Sequence, residues 1–566
     1  MTPRIPPKNG SEFNPGNIIR LEFPAQGYVN PGKTTLEFDV EMIYPALDSE
    51  FSYVRFQNNI QSIFNRVRLL YGATPIEDIP YYNVIIRGLT EWTSTGKGMD
   101  QTSIAEGIGG IANYGNVISS GAPLTSPTNI VGNVRQKYIQ GIDFTQPGAF
   151  NFSAATPSVV THSGSLGVYG AKVPNAAKQV GGSALNTLIT PAVGCDSRLH
   201  EITTTGNPVR RYQVQLMLGV FQQEKLIPTK FMASQLSIEL TLENAKDCMY
   251  YQPSVTWTTQ PNATTTLGTP SATLPSYKVS NVNLIPEILE FDASYDETFL
   301  MGLKSGGVPI KFSTWNNYRF SQNGVSSLNL QIQERSRSVK AIFCMQRRDP
   351  SDWSADSGAS FFDTNVSTID GASTLQEFQF RIGGRYFPAQ PVQCSTEVGS
   401  SYTNGAAEAF IELQKAINTL GDSRLSTPVD TNRWGLPAFS TTGTVGSTHT
   451  LLNEYDYDYG IAGFKYSGAP YACAFTYAGL ASGGYTSGQE GTNRTGSWGS
   501  SCFAMAIDLE TSNGLEISGL NAEEQSDISL IARYAKTQAP GFVFDVFTYI
   551  DSMIVLRENN VLELIQ

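Results

Sequence analysis

The sequence predicts an all-β chain in which one β-unit is used twice. Three observations carry this. Runs of alternating apolar and polar residues recur along the chain. Charged residues are only 16% of the 566, and Gly, Ser, Thr, Asn and Gln fill the difference. Each half also shows the same order: strand patterns, a long polar insertion, then more strand patterns.

The first strand signal is Leu36-Glu-Phe38-Asp-Val40-Glu-Met42, apolar and acidic in strict alternation. Period two places one face in a core and the other in water. Tyr212-Gln-Val214-Gln-Leu216-Met-Leu218, continued by Val220, repeats the pattern, as does Leu236-Ser-Ile238-Glu-Leu240-Thr-Leu242. Residues 250–276, rich in Thr, Pro, Ser and Asn, read as a linker or long surface loop. Alternation resumes at Leu328-Asn-Leu330-Gln-Ile332 and Phe378-Gln-Phe380-Arg-Ile382. Val339 to Met345 is nearly continuous in apolar residues and suits a strand covered on both faces. Phe542-Val-Phe544-Asp-Val546 and Met553-Ile-Val-Leu556 close the chain.

Helices are expected to be few and short. Asp78 can cap a helix beginning near Pro80, with Tyr82, Ile85, Ile86 and Leu89 on one face. Ser294-Tyr-Asp-Glu297 has the form of a capping box ahead of Phe299, Leu300 and Leu303. Phe410, Leu413, Ile417 and Leu420 share a face that ends at Gly421, a residue suited to a C-terminal cap. Residues 93–205 and 395–500 are poor in strand pattern. Structureless loops longer than about 15 residues are uncommon in compact domains, so these insertions must be functional or folded on one another.

The balance of charge limits the partners. The formal net charge is −12, and the densest basic spots are pairs such as Arg210–Arg211 and Arg347–Arg348. Phosphate backbones are bound through clustered Lys and Arg, so sequence-specific nucleic-acid binding is not expected. The six cysteines, Cys195, Cys248, Cys344, Cys394, Cys473 and Cys502, are never at CxxC spacing. They read as buried free thiols of a reducing compartment rather than a disulfide framework or a zinc site. The N-terminus lacks the apolar core of a secretory signal, and no stretch approaches the roughly 20 apolar residues of a membrane span. Synthesis in the cytosol is the corresponding expectation. The sequons at Asn151, Asn262, Asn365 and Asn493 fit chance in a chain this rich in Asn, Ser and Thr.

Three constellations could carry chemistry. Gly27-Tyr-Val-Asn-Pro-Gly32-Lys33-Thr34 matches the phosphate-loop pattern by letter. Phosphate loops lead at once into a helix, whereas the strand pattern of Leu36–Met42 follows here, and Pro31 removes an N–H from the cradle. A turn between two strands is the better reading. His162, His200 and His449 lie in polar, loop-like stretches without a metal or triad pattern. Glu287, Glu290, Asp292, Asp296 and Glu297 could suggest a glycosidase carboxylate pair. The bland reading assigns Glu297 to the capping box, Asp296 to the helix N-terminus and the rest to a strand's wet face. No catalytic, cofactor-binding or metal-binding residue is therefore assigned.

Several segments then resemble a known family. They are Phe56-Gln-Asn-Asn-Ile-Gln-Ser-Ile-Phe64; Gly219-Val-Phe-Gln-Gln-Glu-Lys-Leu-Ile-Pro228; Leu284-Ile-Pro-Glu-Ile-Leu-Glu-Phe-Asp-Ala-Ser-Tyr-Asp-Glu297; Phe380-Arg-Ile-Gly-Gly-Arg-Tyr-Phe-Pro388-Ala-Gln-Pro391-Val; and Ile517-Ser-Gly-Leu-Asn521 through Asp551-Ser-Met-Ile-Val-Leu-Arg557. In order and spacing they resemble double jelly-roll major capsid proteins, most of all those of polinton-like viruses and virophages. The resemblance implies two tandem eight-stranded jelly-roll barrels with long loop insertions and a few short helices. It divides the chain into an arm (1–12), a first jelly roll (13–249), a linker (250–279) and a second jelly roll (280–566). The arm, with Arg4 and Lys8 among prolines, would face inward.

The implied function is that of a virion protein, the major capsid protein of an icosahedral double-stranded DNA virus. It would be a homotrimer forming pseudo-hexagonal capsomers, partnered by neighbouring capsomers and by separate penton and minor capsid proteins. No enzyme activity and no cofactor are implied. Two other readings use the same elements: a jelly-roll carbohydrate-binding protein or glycosidase, and a minor capsid protein such as a penton or spike.

Overall fold

The computed structural model describes residues 2–43, 53–56, 60–93, 113–118, 130–136, 141–142, 171–172, 179–180, 183–184, 188–190, 209–252, 255–256, 266–267, 276–322, 326–348, 375–394, 407–420, 503–510, 518–523, 527–534, 542–557 and 562–566. In the first half the sheets are built from β1 (Glu12–Phe13), β2 (Ile18–Glu22), β3 (Tyr28–Ile43), β4 (Phe64–Tyr71) and β5 (Thr74–Pro80). Helix α1 (Tyr82–Thr93) follows, then β6 (Val209–Val214), β7 (Leu236–Leu242) and β8 (Ser276–Leu289). Helix α2 (Ala293–Lys304) leads into β9 (Val308–Gln322), β10 (Ser327–Ile332), β11 (Val339–Arg348), β12 (Leu375–Ile382) and β13 (Arg385–Gln393). After these come helix α3 (Ala407–Ala416), β14 (Met505–Asp508), β15 (Ile528–Tyr534), β16 (Phe542–Leu556) and β17 (Leu562–Ile565).

The order of strands in the sheets proves the duplication. The first half has two four-stranded antiparallel sheets, ordered β1-β8-β3-β6 and β2-β7-β4-β5. The second half repeats both, as β9-β16-β11-β14 and β10-β15-β12-β13, with β17 added beside β16. Numbered within its own unit, each set reads 1-8-3-6 and 2-7-4-5, the two-sheet pattern of an eight-stranded jelly roll. A helix follows the fifth strand in both.

This order assigns β8 to the first unit. Its pairing with β3 runs from Ser276↔Ile43 to Leu289↔Tyr28. The division expected at residue 280 falls inside this strand. The Asn281 backbone, at φ 50, interrupts its alternation and Pro286 interrupts its ladder, so the sequence pattern does not show the strand as one piece.

Antiparallel pairing also fixes where the connections lie. Strands 1 and 3 of each unit run one way, and strands 6 and 8 of the same sheet run the other way. Connections 1–2, 3–4, 5–6 and 7–8 therefore meet at one end of the barrel, and 2–3, 4–5 and 6–7 at the other. Both expected insertions are 5–6 connections. Short strands inside the first of them pair with one another, such as Asn113–Ile118 with Ile130–Gln136. The opposite end has tight turns: Gly72 and Gly383 both take positive φ, 59° and 55°.

The inner faces are apolar and meet between the sheets. Phe38 of β3 packs edge-on to Phe64 of β4, with ring centroids 5.6 Å apart. In the second unit, Tyr534 of β15 donates a hydrogen bond to Gln346 of β11 across the core. Arg347 and Asp545 form an ion pair that is fully buried. Cys248, Cys344 and Cys394 are buried free thiols, their titration pushed up by burial. Cys195, Cys473 and Cys502 lie outside the described residues, as do all three histidines and the four sequons.

The helices differ from expectation at their ends. Asp78 does not cap α1; it lies in β5, and its carboxylate accepts from Arg66 Nε at 2.6 Å. The N-cap of α2 is Asp292, which accepts from the Tyr295 N–H at 3.1 Å, so the capping box at Ser294–Glu297 does not form. Aspartate caps as well as serine and here stands closer to the end of β8. α3 ends at Ala416, and Asn418 takes the left-handed position at φ 57, the role expected of Gly421. Gly421 lies outside the described residues.

Candidate assembly surface

The two units meet along a seam that starts at β5. Glu77 on this strand is buried, and its carboxylate accepts from the N–H groups of Gly219 and Val220 and from the Thr314 hydroxyl, each at 2.8 Å. Gly219 and Val220 belong to the 6–7 connection of the first unit, and Thr314 belongs to β9 of the second. Burial drives the Glu77 pKa up to about 7, against the three hydrogen bonds that favour the carboxylate. Gly219 is required for close approach: a Cβ there would sit 1.8 Å from the Ser313 carbonyl oxygen.

Further contacts fix how the units stand. Lys225 Nζ donates to the Pro309 carbonyl at 3.1 Å, and the Arg319 guanidinium lies 4.3 Å from the centre of the Tyr81 ring. Positions 309, 314 and 319 of β9 thus meet 225, 77 and 81 in turn. β5 and β9 run side by side in the same direction. The ends bearing the long connections therefore point the same way in both units. Trp92 of α1 stacks on Phe343 of β11 with centroids 5.6 Å apart and planes 15° apart. Arg319 also lies 3.7 Å from Asp545, which ties the seam to the buried ion pair of the second unit.

The phosphate-loop lookalike is strand, not turn, beyond Gly27. Tyr28 to Ile43 is continuous β3, and the ladder skips from Asn30↔Glu287 to Thr35↔Ile285. Pro31–Thr34 form a bulge opposite Pro286, where neither proline has an N–H to offer. Lys33 Nζ lies 3.3 Å from Glu287, and the Thr34 hydroxyl donates to the Asn30 carbonyl at 3.0 Å. The lysine and hydroxyl of the motif are thus held by the protein's own groups.

Glu287, Asp292 and Asp296 of the acidic cluster are likewise held by structural partners. Glu287 accepts from Asn30 at 2.7 Å, which with Lys33 lowers its pKa below the usual carboxylate value. Asp296 is paired with Lys230 and accepts from the Tyr28 hydroxyl at 2.9 Å; both partners lower its pKa. Among the described residues no group of three or more His, Cys, Asp or Glu is arranged to hold a metal ion, and no helix is long and apolar enough to cross a membrane.

The seam residues Glu77, Gly219, Thr314 and Trp92 are not evident in the sequence as a group. The one usable signal was Glu77 itself, an acid beside apolar Ile76 and Ile79.

No family model matches the chain, and no curated protein matches it by sequence. Solved structures do resemble it. The mavirus major capsid protein matches with a TM-score of 0.43 and 9% identity, over 100% of this chain and 89% of that one. A chain of the Sputnik virophage matches with a TM-score of 0.42 and 11% identity, over 100% and 87%. The Faustovirus major capsid protein matches with a TM-score of 0.42 and 10% identity, over 98% and 90%.

Proposed function

We propose that the chain is a virion structural protein, the major capsid protein of an icosahedral double-stranded DNA virus. One observation carries the reading: a single chain holds two jelly rolls of identical strand order, side by side, with their long connections at the same end. Two parallel barrels per chain make a flat tile with distinct ends. Three such chains offer six barrels for a pseudo-hexagonal capsomer. The ends bearing long connections form the outer crown, and the turn-bearing ends line the inside of the shell.

In this reading the protein works without catalysis and without a cofactor. Its partners are two further copies in a homotrimer, neighbouring capsomers, and separate penton and minor capsid proteins. It is made in the host cytoplasm and resides in the virion. The domain division follows the strand order: an arm, a first barrel closing at Leu289, the α2 connector and a second barrel from Val308.

Light scattering and negative-stain microscopy of the purified chain test the proposal. The expected result is a trimeric mass and particles of hexagonal outline. A monomer that never assembles at any concentration would sink it.

A further inference from the structure

We infer that β17 is an acceptor edge, on which an extended segment of a different polypeptide adds as a further strand. The two units differ at strand 3. In the first unit β3 is long, and its residues 28–30 pair with residues 287–289 of β8. In the second unit β11 is short at the same end. It begins at Val339, opposite Ile550, while β16 runs on to Leu556. β17 fills the place that β11 leaves, from Met553↔Ile565 to Leu556↔Leu562. It is antiparallel to β16, as β11 is, so β17 and β11 lie in line as two pieces of one strand.

The next position in the sheet is occupied in the first unit and open in the second. Val29 and Ile227 exchange two backbone hydrogen bonds of 2.8 Å in an antiparallel bridge, and Ile227 is buried. The 6–7 connection of the first unit thus covers this part of strand 3. The 6–7 connection of the second unit takes another line. Leu520 exchanges two 2.8 Å bonds with Val339, and the Ala522 N–H donates to the Ser336 carbonyl at 3.0 Å. It follows the chain that leads into β11 and leaves β17 aside. Among the described residues, β17 has no backbone partner besides β16.

Unpaired strand edges are templates for another strand, and proteins blunt them with lysine, proline or a bulge. Leu562-Glu563-Leu564-Ile565 carries no lysine or proline, and its pairing with β16 has no bulge. Its one charge, Glu563, accepts from Arg557 Nε at 2.7 Å. The occupied twin says what this edge receives: an extended segment, antiparallel to β17, with an aliphatic residue at the bridging position. Leu562, Leu564 and Ile565 are half-buried, and the first two already touch the core cluster, which an arriving apolar side chain would extend. In such strand addition the main chain supplies affinity and alternate side chains supply specificity. A second β17 is the poorer fit, because antiparallel pairing of two such short strands sets their Glu563 side chains within about one residue of each other. The end of β16 lies at the turn-bearing end of the barrel. That the partner comes from inside a shell rests on the capsid reading; the open edge rests on strand order alone.

The test follows backbone hydrogen exchange of the full chain by mass spectrometry. The probe is a synthetic peptide with the sequence of residues 223–231, the first unit's own covering segment, in large excess. Exchange in residues 557–566 is expected to slow several-fold. The same peptide N-methylated at the residue matching Ile227 lacks the bonding N–H and is expected to leave exchange unchanged. No slowing, equal slowing by the N-methylated peptide, or β17 amides that are all slow in the free chain overturns the inference. Slowing that appears without peptide as the chain concentration is raised makes a second copy the occupant and overturns it as well. A monomeric chain whose β17 is protected by the peptide sinks the capsomer reading and keeps the edge; a trimer without that protection does the reverse.

Discussion

At the scale of single residues, Glu77 is the group whose chemistry and position are most tightly joined. Its folded pKa of about 7 lies above the ordinary 4.5. Between these values the folded chain holds a proton that the unfolded chain has released. The associated stability is complete below pH 4.5, falls as pH rises toward 7, and is level above that. Its size is on the order of 3 kcal/mol, from about 1.4 kcal/mol per pKa unit. Glu77→Gln cannot ionise, so it is expected to lose this part of the pH dependence. Denaturant unfolding of both proteins at pH 4.5 and pH 8 measures it. An identical pH dependence in the two would show that Glu77 does not titrate in this window.

At the scale of elements, the sequence was most legible where one face of a strand is buried and the other wet. The run Leu236–Leu242 is β7, residue for residue, and Leu328–Ile332 lies in β10. Legibility failed where partners rather than period decide. The alternation from Tyr212 continues to Val220, but β6 stops at Val214 and Gly219–Gln222 is a helical turn, because the chain there leaves the sheet for the seam. Val308–Gln322 gave no clear signal, since Thr314 is buried at the seam and most of its other polar residues are half-buried. The two closing runs belong to one strand, β16; the buried Thr548 and Ser552 between them break the pattern, and Thr548 is satisfied by Glu334. The caps of α2 and α3 were legible in kind but misplaced by two and three residues, and Asp78 is not a cap. Asp292→Ala removes the observed cap of α2 and is expected to cost about 1 kcal/mol. Ser294→Ala should cost less, because its hydroxyl only donates to Asp292. A larger loss for Ser294→Ala in denaturant unfolding would restore the capping box.

At the scale of the whole molecule, the question is whether two barrels in one chain behave as one body. The seam joins them by packed rings, by a glycine admitted against backbone, and by a buried carboxylate held from both sides. Linked domains with polar, modest interfaces move independently, whereas a large apolar interface couples them. Trp92 belongs to the second kind: it is buried and stacked on Phe343 of the other unit. Truncating a buried tryptophan costs about 3–5 kcal/mol, and here the loss falls on the coupling between units as well as on the first core. The unmodified chain is therefore expected to unfold in a single calorimetric transition. Trp92→Ala should separate it into two, the first unit melting earlier. The charge ladder from Tyr81 through Arg319 to Asp545 would remain in the variant, so the units should stay docked at low temperature. Two transitions in the unmodified chain, or one transition at an unchanged temperature in the variant, would mean that the seam positions the barrels without coupling their stability.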